Sequence, residues 1–131
     1  MGNKFRITKE SCEDLGFVKT SLFANAITKS EFNEWILFII KNNSVDEIPM
    51  YMYDLIDFDD YLYKLPALIG FSPYSGLNNK EEDAIYGIAI KRFGSFFDMP
   101  ISKNKALKAL NENIQVLERF KNTFPFIKLD F

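Results

Sequence analysis

Between residues 27 and 41 the sequence leaves the chain little conformational choice. Thr28-Lys29-Ser30-Glu31 has the form of a capping box. In that motif the Thr hydroxyl and the Glu carboxylate satisfy amide groups that the first turn of a helix leaves bare. Ile27 ahead of the cap and Phe32 inside the helix have the spacing of a hydrophobic staple. Phe32, Trp35, Ile36, Ile39 and Ile40 then recur at i, i+3, i+4, i+7 and i+8, which lines one face of an α-helix. Asn42-Asn43-Ser44 ends it. A helix with such a face must be packed on a core, so the spacing predicts a folded helical protein.

The remaining punctuation is also helical. Ser11-x-x-Asp14 resembles a capping box, and Leu15, Val18, Leu22 and Phe23 follow at helical spacing, with Gly16 as a weak point. Ser44-Val45-Asp46-Glu47 offers another start, and Pro49 suits a first turn. Met50–Phe58 is ambiguous. Alternating Tyr51, Tyr53 and Leu55 suit a strand, whereas Tyr51, Leu55 and Phe58 suit a helix. A helix is expected because no partner strands are evident nearby. Asp59-Asp60 can cap a short helix over 61–69, bent or broken by Pro66. Gly70–Gly76 is turn-rich and is expected to be the longest loop. Asn78 or Asn79 caps a helix through Glu81, Glu82 and Asp83 that closes with Lys91, Arg92 and Gly94. Ser102 caps a helix expected over 103–121, with Leu107, Leu110, Ile114 and Leu117 as its apolar stripe. Pro125 blocks its continuation, and the alternating tail from Phe126 to Phe131 suits a short extended segment. The expectation is one all-α domain over 1–131, of five to seven helices, with a core including Trp35, Ile36, Ile39, Ile85, Ile88, Leu110, Ile114 and Leu117.

Composition narrows the chemistry. The chain has no histidine and a single cysteine. Without histidine the commonest general base and metal ligand are missing, and so is every Ser-His or Cys-His pair. Cys12 alone excludes an internal disulfide or a cysteine-based zinc site. Glu13 and Asp14 beside it oppose a thiolate, so Cys12 reads as structural. The glycines do not form a phosphate loop; Gly87 reads as a site of close helix packing. No catalytic residue, cofactor or metal site is assigned. The longest apolar run, Trp35–Ile40, is six residues, too short to cross a bilayer, so no membrane partner is expected. The polar Met1–Lys9 stretch lacks the pattern of an export signal. Together with the lone cysteine it suggests the reducing cytoplasm.

The net charge of −2 hides a strong asymmetry. Residues 1–41 carry +1, residues 42–90 carry −7 and residues 91–131 carry +4. An acidic middle repels nucleic acid and attracts cations or basic proteins. Solvated helix faces, compensated by the basic flanks, would produce the same counts. Within this middle lie Asp54, Asp57, Asp59 and Asp60, the pair Glu81 and Glu82 with Asp83, and the tyrosines Tyr51, Tyr53, Tyr61, Tyr63 and Tyr74. If 50–58 is helical, Asp54 and Asp57 share a face. Two acidic groups on two helices could then hold Mg²⁺ as a metal-dependent hydrolase, although such helical enzymes usually add histidine. Tyrosines beside carboxylates also make a protein-binding surface, with aromatic anchors and charge for steering. The residues selected for that role are Asp54, Asp57, Asp59, Asp60, Tyr61, Tyr74, Glu81 and Glu82. A small helical adaptor is the third alternative.

Three stretches carry a resemblance. They are Glu47-Ile-Pro-Met-Tyr-Met-Tyr-Asp-Leu-Ile-Asp-Phe-Asp59, Ile69-Gly-Phe-Ser-Pro73, and Glu81-Glu-Asp-Ala-Ile-Tyr-Gly-Ile-Ala-Ile-Lys-Arg92. Over residues 47–92 the chain resembles small bacterial immunity proteins of polymorphic toxin systems, notably those of contact-dependent growth inhibition. The resemblance implies a cytoplasmic, non-enzymatic antidote. It would bind the C-terminal domain of a toxin delivered by a neighbouring cell and block its action. Such toxins are often nucleases acting on tRNA or other RNA, with basic surfaces. The resemblance transfers no binding residues, so the contact choices above rest on charge and residue type.

Overall fold

In the computed structural model, residues 5–95 and 98–131 are described. Residues 1–4 of the polar Met1–Lys9 stretch lie outside them. The order of helices is α1 (Glu13–Phe23), α2 (Lys29–Lys41), α3 (Tyr51–Asp54), α4 (Leu65–Ile69), α5 (Asn79–Phe93), α6 (Lys103–Glu112) and α7 (Ile114–Thr123). Short 3-10 turns lie at Val45–Glu47 and Leu62–Lys64. There is no strand among the described residues, so the protein is all-α. By compactness the chain divides into two units, Met1–Lys19 with Thr28–Gly76, and Thr20–Ile27 with Leu77–Phe131.

In the first unit, α2 forms as its sequence dictates. Thr28 Oγ1 accepts from Glu31 N–H at 3.1 Å, and the Glu31 carboxylate accepts from Thr28 N–H at 2.9 Å. Phe32, Trp35, Ile36 and Ile39 are buried on its inner face. Asn42 and Asn43 close it by donating side-chain amides to the carbonyls of Phe38 and Ile39. The Phe38 carbonyl also accepts from Asn42 N–H at 3.1 Å, so the side chains add to the bonds that close the last turn.

The start of α1 differs from the expected Ser11–Asp14 box. The helix begins at Glu13, two residues past Ser11. The Arg6 carbonyl instead accepts from Asp14 N–H and Leu15 N–H at 3.1 and 3.2 Å. The Asp14 carboxylate reaches back to Arg6 N–H at 2.7 Å and to its guanidinium at 2.8 Å. A distant backbone carbonyl thus does the work expected of a local hydroxyl, and Ser11 pairs its backbone with Thr8.

Three further expectations in this unit are corrected. The helix expected over Met50–Phe58 shrinks to α3. It tightens at Leu55, whose N–H is shared between the Tyr51 and Met52 carbonyls, both at 3.2 Å. Asp57 then takes a left-handed conformation with φ of 58°, which Asp tolerates better than most residues. Asp54 and Asp57 therefore do not share a helix face. The 61–69 helix starts as a 3-10 turn and becomes α-helical only at Leu65. Pro66 lies in the first turn of α4, where its missing N–H costs no hydrogen bond, so it does not break the helix.

The second unit is built on α5, α6 and α7, which pack on one another. Asn78 and Glu81 form a complete capping box at the start of α5. Ala84, Ile85, Ile88 and Ala89 are its most deeply buried side chains, and Gly87 permits the closest approach. A β-carbon on Gly87 would lie 2.6 Å from the Ala106 carbonyl oxygen and 2.8 Å from Leu110 Cβ. Ser102 caps α6 through Lys105 N–H at 3.2 Å. The long helix expected over 103–121 is interrupted at Asn113 (φ −130°, ψ 56°). Its side-chain amide donates to the Ala109 carbonyl at 2.9 Å, a local bond that competes with the helix. The break shifts the buried register. Ile114, expected in the core, is 54% exposed, and Val116, Phe120 and Phe124 are buried beside the expected Leu117. The other expected core residues are buried. Beyond Phe124 the tail is irregular, alternating half-buried and exposed side chains from Ile127 to Phe131.

Candidate partner-binding surface

The acidic run of the first unit is pinned onto α2. Phe58 is buried and meets Phe32 edge-on, with ring centroids 6.4 Å apart. Asp57 N–H donates to Asn33 Oδ1 at 2.7 Å. Lys29 Nζ lies 3.7 Å from Asp59 Oδ1 and 5.9 Å from the Phe58 ring centre. These contacts enclose a shallow groove of about 240 Å³ lined by Lys29, Ser30, Asn33, Asp57, Phe58 and Asp59. Asp54, at the end of α3, is exposed, as is Asp57. The Asp59 side chain is 92% exposed.

Asp60 organises the next turn. Its Oδ1 accepts from Tyr61 N–H at 2.7 Å, and its Oδ2 lies 3.2 Å from Lys64 Nζ. The backbone hydrogen bond, with the lysine adding to it, holds the Asp60 carboxyl below the ordinary carboxylate range. Tyr61 is extended (φ −63°, ψ 138°), just ahead of the 3-10 turn. The intervening Leu62 opens the 3-10 turn, and across it the Tyr61 and Tyr63 rings stack, with centroids 5.9 Å apart and planes 18° from parallel. Both stand in solvent, at 69% and 72% exposure. Lys64 Nζ lies over Tyr61, 6.0 Å from its centre.

Tyr74 is also exposed, in the loop that follows α4. Its backbone passes against Gly16 of α1: a β-carbon there would overlap the Tyr74 carbonyl and lie 2.6 Å from Ser75 N. Tyr51 plays a different part. It is buried, its hydroxyl donates to the Ile7 carbonyl, and its ring meets Phe71 edge-on at 5.8 Å. Burial pushes its phenol well above the ordinary range, with Cys12 adding to the effect.

Of the selected residues, Asp54, Asp57, Asp59, Asp60, Tyr61 and Tyr74 all fall in the first unit. Glu81 and Glu82 belong to the second. The Glu81 carboxylate is engaged in the cap of α5, and both side chains are half-buried. Asp83 lies 3.9 Å from Lys105. Among the described residues, no three Asp, Glu or Cys side chains lie where they could hold a metal ion together. Among those residues, too, no helix is long and apolar enough to cross a membrane.

The sequence places Tyr63 among the tyrosines of the acidic middle but not among the selected contacts, although it is as exposed as Tyr61 and stacked on it. It marks Gly16 only as a weak point of α1, because the role of that glycine depends on a loop far along the chain. No protein-family model, curated protein or solved structure matches this sequence.

Proposed function

We propose that this chain is a non-enzymatic antitoxin of the cytoplasm that binds and neutralises a cognate toxin domain. The toxin domain would be basic, a nuclease acting on tRNA or other RNA. The observation that carries this reading is the exposed Tyr61–Tyr63 stack beside exposed aspartates. Exposed aromatics set among like charges suit protein recognition, with the rings as anchors and the charge as a guide for encounter. The resemblance of residues 47–92 to immunity proteins of contact-dependent growth inhibition points the same way. So does the −7 charge of residues 42–90, which suits a basic protein and repels RNA itself.

The test is co-expression with the product of the neighbouring gene. A stable complex, with cellular tRNA left intact, is expected. Mg²⁺-dependent hydrolysis by the purified chain, abolished by Asp54→Ala or Asp57→Ala, would replace this reading with the hydrolase one.

A further inference from the structure

We propose that the stacked Tyr61–Tyr63 pair is a docking platform for an arginine side chain of the partner. This deepens the antitoxin reading and rests on it for the identity of the partner. Two aromatic rings held parallel in water offer a flat, electron-rich face, and a planar guanidinium stacks on such a face as an ammonium cannot. Within the chain a cation already sits at this face, since Lys64 Nζ lies over Tyr61, 6.0 Å from its centre. Among the described residues no cation lies over Tyr63, although that ring is the more exposed of the two. The bond Tyr61 N–H donates to the Asp60 carboxylate, and the pairing of Asp60 with Lys64, fix the turn that presents the rings. A preset surface loses less freedom on binding than a mobile one.

Charge complementarity selects the occupant. Residues 42–76 carry six carboxylates against one lysine, a net charge of −5. A nucleobase could stack on the same rings, but it would bring phosphates into this negative field. A neutral aromatic side chain would gain nothing from it. A guanidinium gains both the ring face and the field.

The probe is an amidated hexa-arginine peptide, titrated against the full chain by NMR, with hexalysine and a uridine hexanucleotide in parallel. Hexa-arginine is expected to shift the ring resonances of Tyr61 and Tyr63. Tyr63→Leu, which keeps charge and bulk, should weaken its binding about three-fold, the size of one exposed cation–π contact. Tyr63→Phe should retain it. Hexalysine should lose less than hexa-arginine. Since Tyr63 is exposed, both variants should match the parent in circular dichroism. Unchanged arginine affinity in folded Tyr63→Leu would overturn the proposal. So would an equal loss for hexalysine, or binding of the oligonucleotide at these rings. The platform and the antitoxin reading fail separately. A toxin domain that does not bind removes the latter and leaves the peptide result standing. A toxin that binds Tyr63→Leu and the parent equally removes the former alone.

Discussion

The main-chain carbonyl of Tyr74 occupies the space a β-carbon on Gly16 would need. Glycine in the first turn of α1 is therefore the condition for the loop after α4 to lie where it does, and for Tyr74 to stand exposed beyond it. Ala is the better helix former by up to about 1 kcal/mol. Here the obstacle is backbone, which cannot rotate away as a side chain can. Gly16→Ala should destabilise the protein, by about 1–3 kcal/mol as in overpacked cores. Urea denaturation checks the sign, and faster proteolysis near Tyr74 would locate the displaced loop. A more stable Gly16→Ala would show that the loop moves aside freely.

Gly87 makes the parallel case in the second unit. A methyl group there meets the Ala106 carbonyl oxygen at 2.6 Å and Leu110 Cβ at 2.8 Å. α5 and α6 must separate to admit it, so Gly87→Ala should also cost about 1–3 kcal/mol. Thermal unfolding measures the loss. A melting temperature at or above the parent's would mean that the helices slide past the added methyl.

Tyr51 gives the fold a dependence on alkaline pH. Its buried phenol resists ionisation, so its pKa is higher folded than unfolded, where the ordinary value is about 10. The folded state then holds the proton that the unfolded state releases. Stability is complete below about pH 10 and falls as pH rises beyond it. Tyr51→Phe removes both this slope and the hydroxyl's bond to the Ile7 carbonyl. It should cost about 1 kcal/mol at pH 7, the worth of a buried hydrogen bond. Above pH 10 the variant should lose stability less steeply than the parent. Parallel slopes in denaturant titrations at pH 8 to 11 would contradict this account.

The acidic run offers a test of steering that spares the fold. Asp57 and Asp60 have structural duties, one in a left-handed conformation bonded to Asn33 and the other ordering the Tyr61 turn. Asp54 and Asp59 are exposed, and Asp59 makes a long contact of 3.7 Å with Lys29. Exposed pairs of that kind are worth about 0–1 kcal/mol. Asp54→Lys combined with Asp59→Lys should therefore fold. It should associate with a basic toxin domain about ten-fold more slowly at low salt, at the lower end of electrostatic rate enhancement. The gap should narrow in ~1 M salt, where the Debye length falls to about 3 Å. Stopped-flow association rates across a salt series decide it. Equal rates for parent and variant at low salt would move the interface elsewhere, the basic C-terminal helix being the next place to look.

The sequence by itself determined the helical class and the starts of α2, α5 and α6. Thr28, Asn78 and Ser102 cap helices as their sequences require, because a cap and its partner lie within four residues and need no tertiary partner. The same holds for the apolar face of α2, set by the period of the helix alone. Tertiary structure decided what depends on residues far apart. The Arg6 carbonyl starts α1, where Ser11 was the local candidate, and the Asn33 amide oxygen holds Asp57 beyond the end of α3. The approach of the 70–76 loop to Gly16 has no trace in either segment read alone. At Asn113 one side-chain amide bond competes with helix propagation, and the break turns Ile114 to solvent and Phe120 into the core. The acidic, tyrosine-rich character of the candidate surface was legible as composition. Its working geometry, two rings stacked and exposed over a turn fixed by Asp60, was not. That geometry depends on where an extended residue gives way to a 3-10 turn, and local propensities separate those states by too little energy to decide it.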